Sequence, residues 1–255
     1  RTGYSFRSAV GMVKDVMARV KEVNYDGCAP ISDRASTFGF TRWRKAAKEA
    51  GLRPIYGVEL AVTNSLQDKK RSKDYWTFWA INDMSKINKL IELATNQFHF
   101  EPLLSYEQAM AAEGVLKIAG SRPMLELMSR TTEDNNLFIA MQPSMSRGLY
   151  KKAKEAGYRF IASSDNNYAT PDKKSLYEVL VGRGSASQTY PQHILTDSEW
   201  WDALPWVPDA EKDEALRNRA MALEMCRAEI KQGSLLSPPK EKTLREMCIE
   251  GANEL

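Results

Sequence analysis

Polar and acidic residues fall at or near the ends of short apolar runs in three places. Phe160-Ile161-Ala162 leads directly into Ser163-Ser164-Asp165-Asn166-Asn167, Cys28-Ala29-Pro30-Ile31 leads into Ser32-Asp33-Arg34, and the run Pro54 to Val62 carries Glu59. A short apolar run bounded by turn residues reads as a buried strand, and strand ends are where a barrel or doubly wound sheet carries its chemistry. Two carboxylates with neutral oxygens can hold magnesium loosely. A tighter site for zinc or manganese needs imidazole, which ligates without adding charge and so lets many ligands converge. The chain has two histidines: His99 follows a helical segment and His193 lies in a loop, so neither falls at a strand end. Cys28, Cys226 and Cys248 are far apart and form no C-x-x-C pair, so neither a disulfide framework nor a zinc site is indicated.

The elements that must position these groups alternate along the chain. Met12, Val13, Val16, Met17 and Val20 have helical spacing within Gly11 to Val23, and Phe38 to Ala50 is a second helix closed by Gly51. Pro54 to Val62 is the strongest strand, and the polar link Gln67 to Asp74 leads from it into the aromatic strand Tyr75 to Ile81. Helices are predicted over Met84 to Phe98, Ser105 to Ala112, Leu149 to Ala156, Asp209 to Ile230 and, with Thr243 as its cap, Thr243 to Ala252, and strands over Val115 to Ala119, Leu137 to Met141 and Phe160 to Ala162. Thr170 is placed to cap a helix that has Pro171 in its first turn. Repeated strand-then-helix order argues for a parallel α/β architecture.

At 255 residues and 43% hydrophobic, the chain can fill one large α/β core with a short appendage. No apolar run approaches the roughly 18 residues of a spanning helix, and the opening residues show no signal-peptide pattern. A cytoplasmic protein is the expectation. The sequence opens on Arg1 rather than methionine, so further upstream residues are expected. A net charge of +3 does not by itself argue for DNA binding.

Several motifs in order resemble the polymerase and histidinol phosphatase (PHP) domain at the start of bacterial DNA polymerase III alpha subunits. Tyr4-Ser5 resembles the Y-S after an opening H-x-H, whose second histidine falls on Arg1. Ser32-Asp33-Arg34-Ala35, followed by K-E-A-G-L-R-P to Pro54, resembles T-D-H-G and K-x-A-G-I-K-P. I-Y-G-V-E-L-A-V resembles I-x-G-C-E-x-Y-V, with Glu59 in place of a metal-binding glutamate. Tyr75-Trp76 stands where Tyr-His is usual, Ala119-Gly120-Ser121 where Ser-Gly-Cys is usual, and Gln142-Pro143-Ser144 where Gln-x-His is usual. The stretch from Ser164 to Asp172 resembles T-N-D-x-H-Y-x-x-P-x-D, with Asn167 in place of the histidine. Asn218 to Ile230, Ser237-Pro238-Pro239 and Leu244 to Gly251 resemble the passage into the polymerase palm.

The resemblance implies a distorted TIM-like (β/α)7 barrel of the PHP type over residues 1–208, with a helical extension over 209–255 leading toward a palm that does not appear. It also implies a vestigial metal-site cluster of Arg1, Asp33, Arg34, Glu59, Trp76, Ser121, Ser144, Asp165 and Asn167. No bound metal is expected; if one binds, it is a weakly held magnesium or manganese ion on Glu59 and Asp165. Converging carboxylates without a metal would repel one another. A guanidinium from Arg34, joined by Arg1, can bridge them and take over the metal's structural charge. Asp33 and Arg34 exposed at a loop is the rival reading.

The function implied is a non-catalytic scaffold in DNA replication for a polymerase core, in the same or another chain, or for a proofreading exonuclease subunit. The alternatives are a metal-dependent phosphoesterase or 3′-5′ exonuclease, and a stand-alone decoy of the polymerase domain. Other features read more plainly. Lys69, Lys70 and Arg71 could touch DNA phosphate, but the run interleaves no aromatic residue and reads as a solvated loop. Trp200, Trp201 and Trp206 form a group that packs as a plug on the barrel or belongs to a partner surface.

Overall fold

Residues Arg53–Thr63 form β2, the strand on which the fold is built, and every residue from Ile55 to Thr63 is buried. A strand covered on both faces reads as a continuous apolar run, and this one does. Cys28–Arg34 (β1) pairs with it in parallel, from Cys28 opposite Arg53 to Arg34 opposite Glu59. Leu103–Ser105 (β4) pairs farther along, opposite Ala61 to Thr63. Lys73–Ala80 (β3) lies antiparallel to β2 and also antiparallel to Val115–Ala119 (β5). Leu137–Met141 (β6) and Phe160–Ala162 (β7) follow in parallel. The computed structural model describes residues 1–5, 8–67, 73–97, 101–120, 134–182, 189–231 and 244–253. Among them the strand order is β1-β2-β3-β5-β6-β7, with β4 beside β2.

Nine helices are described: Val13–Val23 (α1), Phe40–Ala50 (α2), Met84–Asn96 (α3), Tyr106–Met110 (α4), Arg147–Glu155 (α5), Lys174–Val181 (α6), Asp197–Asp202 (α7), Asp209–Met225 (α8) and Leu244–Asn253 (α9). The sheet curls into a half-barrel, the distorted TIM-like form of the α/β class expected from the sequence, but it is not wholly parallel as the strand-then-helix order suggests, because β3 runs antiparallel to both its neighbours. Alternation along each strand sets the layers. Cys28, Ile55, Trp79, Leu116, Ile118, Phe138, Ala140 and Ile161 point inward and pack together. Their neighbours point outward: Ala29 and Ile31 meet α1 and α2, and Val58, Leu60 and Phe78 meet α3 and α4. Gly57 is required on the inner side, because a Cβ there would lie 2.3 Å from the Trp79 ring and 2.6 Å from the Phe78 carbonyl oxygen.

The boundaries follow local chemistry. Helices α4 and α7 begin in capping boxes, Ser105 with Gln108 and Thr196 with Glu199. Thr170 precedes a 3₁₀ turn, Pro171–Lys173, rather than capping an α-helix directly, and its hydroxyl donates to Asp172 at 2.5 Å. Trp200 acts as the plug, its ring buried and its Nε1 donating to the carbonyls of Met141 and Ser163 at 3.0 Å each. The segment from 209 onward, read as the start of a connector, lies against β7 through α8. Asn218 Nδ2 donates to the Phe160 carbonyl at 2.7 Å, and Ala222 and Leu223 join the inner core. The helix ends at Met225 instead of Ile230, because Cys226 turns extended and the Arg227 amide donates to the Ile81 carbonyl. Among the described residues no helix is long and apolar enough to cross a membrane.

Candidate functional site

The C-terminal ends of β1 and β2, the start of β3 and the loops after β6 and β7 surround a cavity of about 580 Å³. Inward-facing side chains line it: Arg34 from β1, Glu59 from β2, Tyr75 and Thr77 from β3, Gln142 after β6 and Asp165 after β7. Glu59 is at its centre and only 6% exposed. Arg34 Nε donates to Glu59 Oε1 at 2.6 Å. Arg1 Nε donates to Oε2 at 3.0 Å, and Arg1 Nη2 makes a further short ion pair with the same oxygen. Arg1 Nη1 reaches across to Asp165 Oδ1 and Asn167 Oδ1, each at 2.6 Å. One guanidinium therefore ties β2 to the loop after β7, while a second holds the other oxygen of Glu59.

The electrostatics follow from burial and these partners. Burial alone would raise the Glu59 pKa, but Arg1 and Arg34 hold it below the ordinary carboxylate range. Burial works against the charge of Arg1, yet Glu59 and Asp165 hold its pKa above the usual value. Tyr75 completes the arrangement: the Arg34 guanidinium carbon lies 3.9 Å from its ring centroid, a cation–π contact that fixes the plane of the fork.

Two residues expected in the cluster lie elsewhere, for one shared reason. Trp76 is fully buried on the outer side of β3, stacked near Phe78 and edge-on to Tyr106. Side chains alternate along a strand, so a one-residue offset transfers a position to the opposite face. Tyr75 is the residue that faces the site. Asp33 likewise points away from the cavity: its Oδ1 accepts from the Thr2 amide at 2.5 Å and the Ser5 hydroxyl at 2.8 Å, and its Oδ2 accepts from the Thr2 hydroxyl at 2.8 Å. Asp33 therefore anchors the opening segment and is not bridged by either arginine. Asp33 is fully buried, which also removes the exposed-loop reading for it. Ser144 lines the cavity and accepts from Gln142 Nε2 at 3.0 Å. Ser121, Lys69, Lys70, Arg71, His99 and Thr243 lie outside the described residues.

Asp74 went unnoticed in the sequence because it sits inside a polar linker. It is 5% exposed and its carboxylate accepts from the Tyr75 amide at 2.9 Å and Trp76 Nε1 at 3.0 Å. Gly120 is needed beside it, since a Cβ there would lie 2.5 Å from Asp74 Oδ1. Burial outweighs these donors and pushes its pKa up to about 7. The folded state therefore holds this proton more tightly than the unfolded chain. Stability should fall as pH rises from roughly 4 to 7, by at most about 1.4 kcal/mol per pH unit. Urea unfolding across that range should show the slope in the parent chain and lose it in Asp74→Asn; an unchanged slope would refute the assignment.

The residues present do not fit an intact metal centre. Both oxygens of Glu59 and one of Asp165 already face guanidinium groups. Among the described residues no three His, Cys, Asp or Glu side chains gather as a ligand set. Arginine offers a cation no lone pair, so a metal would have to displace it.

A family model for the PHP domain matches residues 1–122. The DNA polymerase III alpha subunit of Borreliella burgdorferi is 21% identical over 266 residues, covering 88% of this chain and 23% of that protein. The same subunit from Aquifex aeolicus is 19% identical over 218 residues, covering 71% of this chain and 19% of that one. The chain thus spans about a fifth of the length of these relatives. A crystal structure from Bifidobacterium adolescentis, assigned as a metal-dependent phosphoesterase, overlays with a TM-score of 0.46 at 10% identity, covering 77% of this chain and 91% of that one. Over its first 122 residues this chain is similar to the PHP domain, and over most of its length to the DNA polymerase III alpha subunits.

Proposed function

We propose that the chain is a non-catalytic PHP portion of a DNA polymerase III alpha-like protein, serving DNA replication as a scaffold for a polymerase core or a proofreading partner. The observation that carries this reading is the double capping of Glu59 by Arg1 and Arg34, 2.6 Å from Arg34 Nε and 3.0 Å from Arg1 Nε. Phosphoester hydrolysis by a metal site requires carboxylates free to bind the ions that activate water. Here the same carboxylates neutralise fixed positive charges instead. What the arrangement supplies is rigidity: one buried network joins the opening segment, β1, β2 and the loop after β7, leaving a stable surface on which another domain or subunit can rest.

The rival reading, a phosphoesterase or 3′-5′ exonuclease acting through Glu59 and Asp165, is favoured by the open cavity into which both residues project. Metal analysis of the purified chain after dialysis against manganese separates the two, together with a nuclease assay on single-stranded DNA. The scaffold reading expects substoichiometric metal and no cleavage above background. Stoichiometric metal with cleavage that disappears in Glu59→Gln would replace it with the hydrolase.

A further inference from the structure

The cavity leaves hydrogen-bond donors over after the ion pairs are made. Arg34 engages Glu59 only through Nε, and its stacking on Tyr75 fixes the plane in which its Nη1 and Nη2 groups lie. Those groups face no acceptor among the described residues, although Arg34 lines the cavity and its side chain is 27% exposed. Gln192 adds a second observation. The residue is 5% exposed and lines the same cavity; its carbonyl accepts from the Asn167 amide, while its side-chain amide makes no hydrogen bond to a described residue and stays open to the cavity. Thr77 and Tyr177 bring hydroxyl groups to the same space.

The charge balance narrows what can bind. Arg1 and Arg34 are matched by Glu59 and Asp165, Lys73 by Glu101 at 2.5 Å, and Arg219 by Asp197 at 2.7 and 2.8 Å. No surplus cation remains on the lining to hold a dianion, and Asp74 and Asp165 would repel one. A planar carboxylate, by contrast, brings only half the charge of a dianion and matches the free edge of a guanidinium in geometry. The volume of about 580 Å³ lies within the usual range for small-molecule sites.

We infer that this cavity binds a small organic molecule through a single carboxylate, received by the outward edge of Arg34, with the Gln192 amide hydrogen-bonding a polar group of the same ligand. The inference rests on the reading that guanidinium groups, and not a metal, hold Glu59. Calorimetric titration of the whole chain with benzoate, benzamide and inorganic phosphate tests it, in EDTA and again in manganese. Saturable binding of benzoate in EDTA is expected, with benzamide and phosphate each at least about tenfold weaker. Arg34→Lys should weaken benzoate about tenfold by removing the fork. Gln192→Leu, which leaves both arginines and both acids in place, provides the second variant and should weaken benzoate severalfold. The inference fails if benzoate does not bind, if benzamide or phosphate binds as well, or if neither variant weakens it. Benzoate binding that appears only in manganese, with stoichiometric metal, would overturn the scaffold reading too; absence of binding in a metal-free chain overturns this inference alone.

Discussion

Arg1→Ala is expected to lower the unfolding free energy by about 3–5 kcal/mol, the range for breaking a buried ion pair by removing one partner. The side chains of Arg1 and Glu59 are only 11% and 7% exposed, so solvent cannot take over from the lost guanidinium. Arg34→Ala should cost less, because its side chain is 27% exposed and it serves one carboxylate oxygen instead of two acids. Chemical denaturation should rank the variants in that order, and Arg1→Ala with Glu59→Gln should recover most of the loss by removing the stranded charge. The pH dependence has a definite sign. The Glu59 pKa is lowered on folding, so its contribution is present above the unfolded value near 4.5 and is lost as pH falls through the lower folded value. Arg1→Ala should blunt that acid limb. If Arg1→Ala leaves stability and its acid dependence unaltered, the arginines do not neutralise the acids.

Asp33→Ala should cost about 3 kcal/mol or more, because it leaves two hydroxyls and one backbone amide without their buried acceptor. The effect extends past the hydrogen bonds themselves. Thr2 and Ser5 flank the chain beside Arg1, so releasing them also frees the guanidinium that reaches Glu59. Asp33→Ala and Arg1→Ala should therefore be strongly non-additive: the double variant should lie close to the worse single one. Additive losses would show that the two carboxylates act independently, and that Asp33 does not position Arg1.

Much of this was readable from the residues. Val115–Ala119, Leu137–Met141 and Phe160–Ala162 have the predicted bounds, because each is a short apolar run closed by polar or glycine residues. Glu59, Arg34 and Asp165 converge on one cavity, with Arg1 between the acids. What failed depends on a two-residue period. Trp76 and Asp33 were assigned by likeness to a motif, yet the face of a strand is set by neighbours across the sheet, which a single residue pair does not encode. The alternation from Lys73 to Phe78, half-buried and buried in turn, picks out Tyr75. Asp74 and Gln192 carried no local signal, since their burial comes from residues distant in the chain. The end of α8 was missed for a similar reason: Cys226 and Ala228 are buried at alternate positions, which fits extended chain as well as a helix.

The positive charge beside Glu59 belongs to the polypeptide itself. A bound ion would come and go by mass action, so its occupancy, and any stability that depends on it, would vary with ion supply and with competing chelators. A guanidinium has no such dissociation equilibrium, and it keeps its proton at any physiological pH. Once the chain has folded, Arg1 and Arg34 face Glu59 and Asp165 with charges that cannot dissociate.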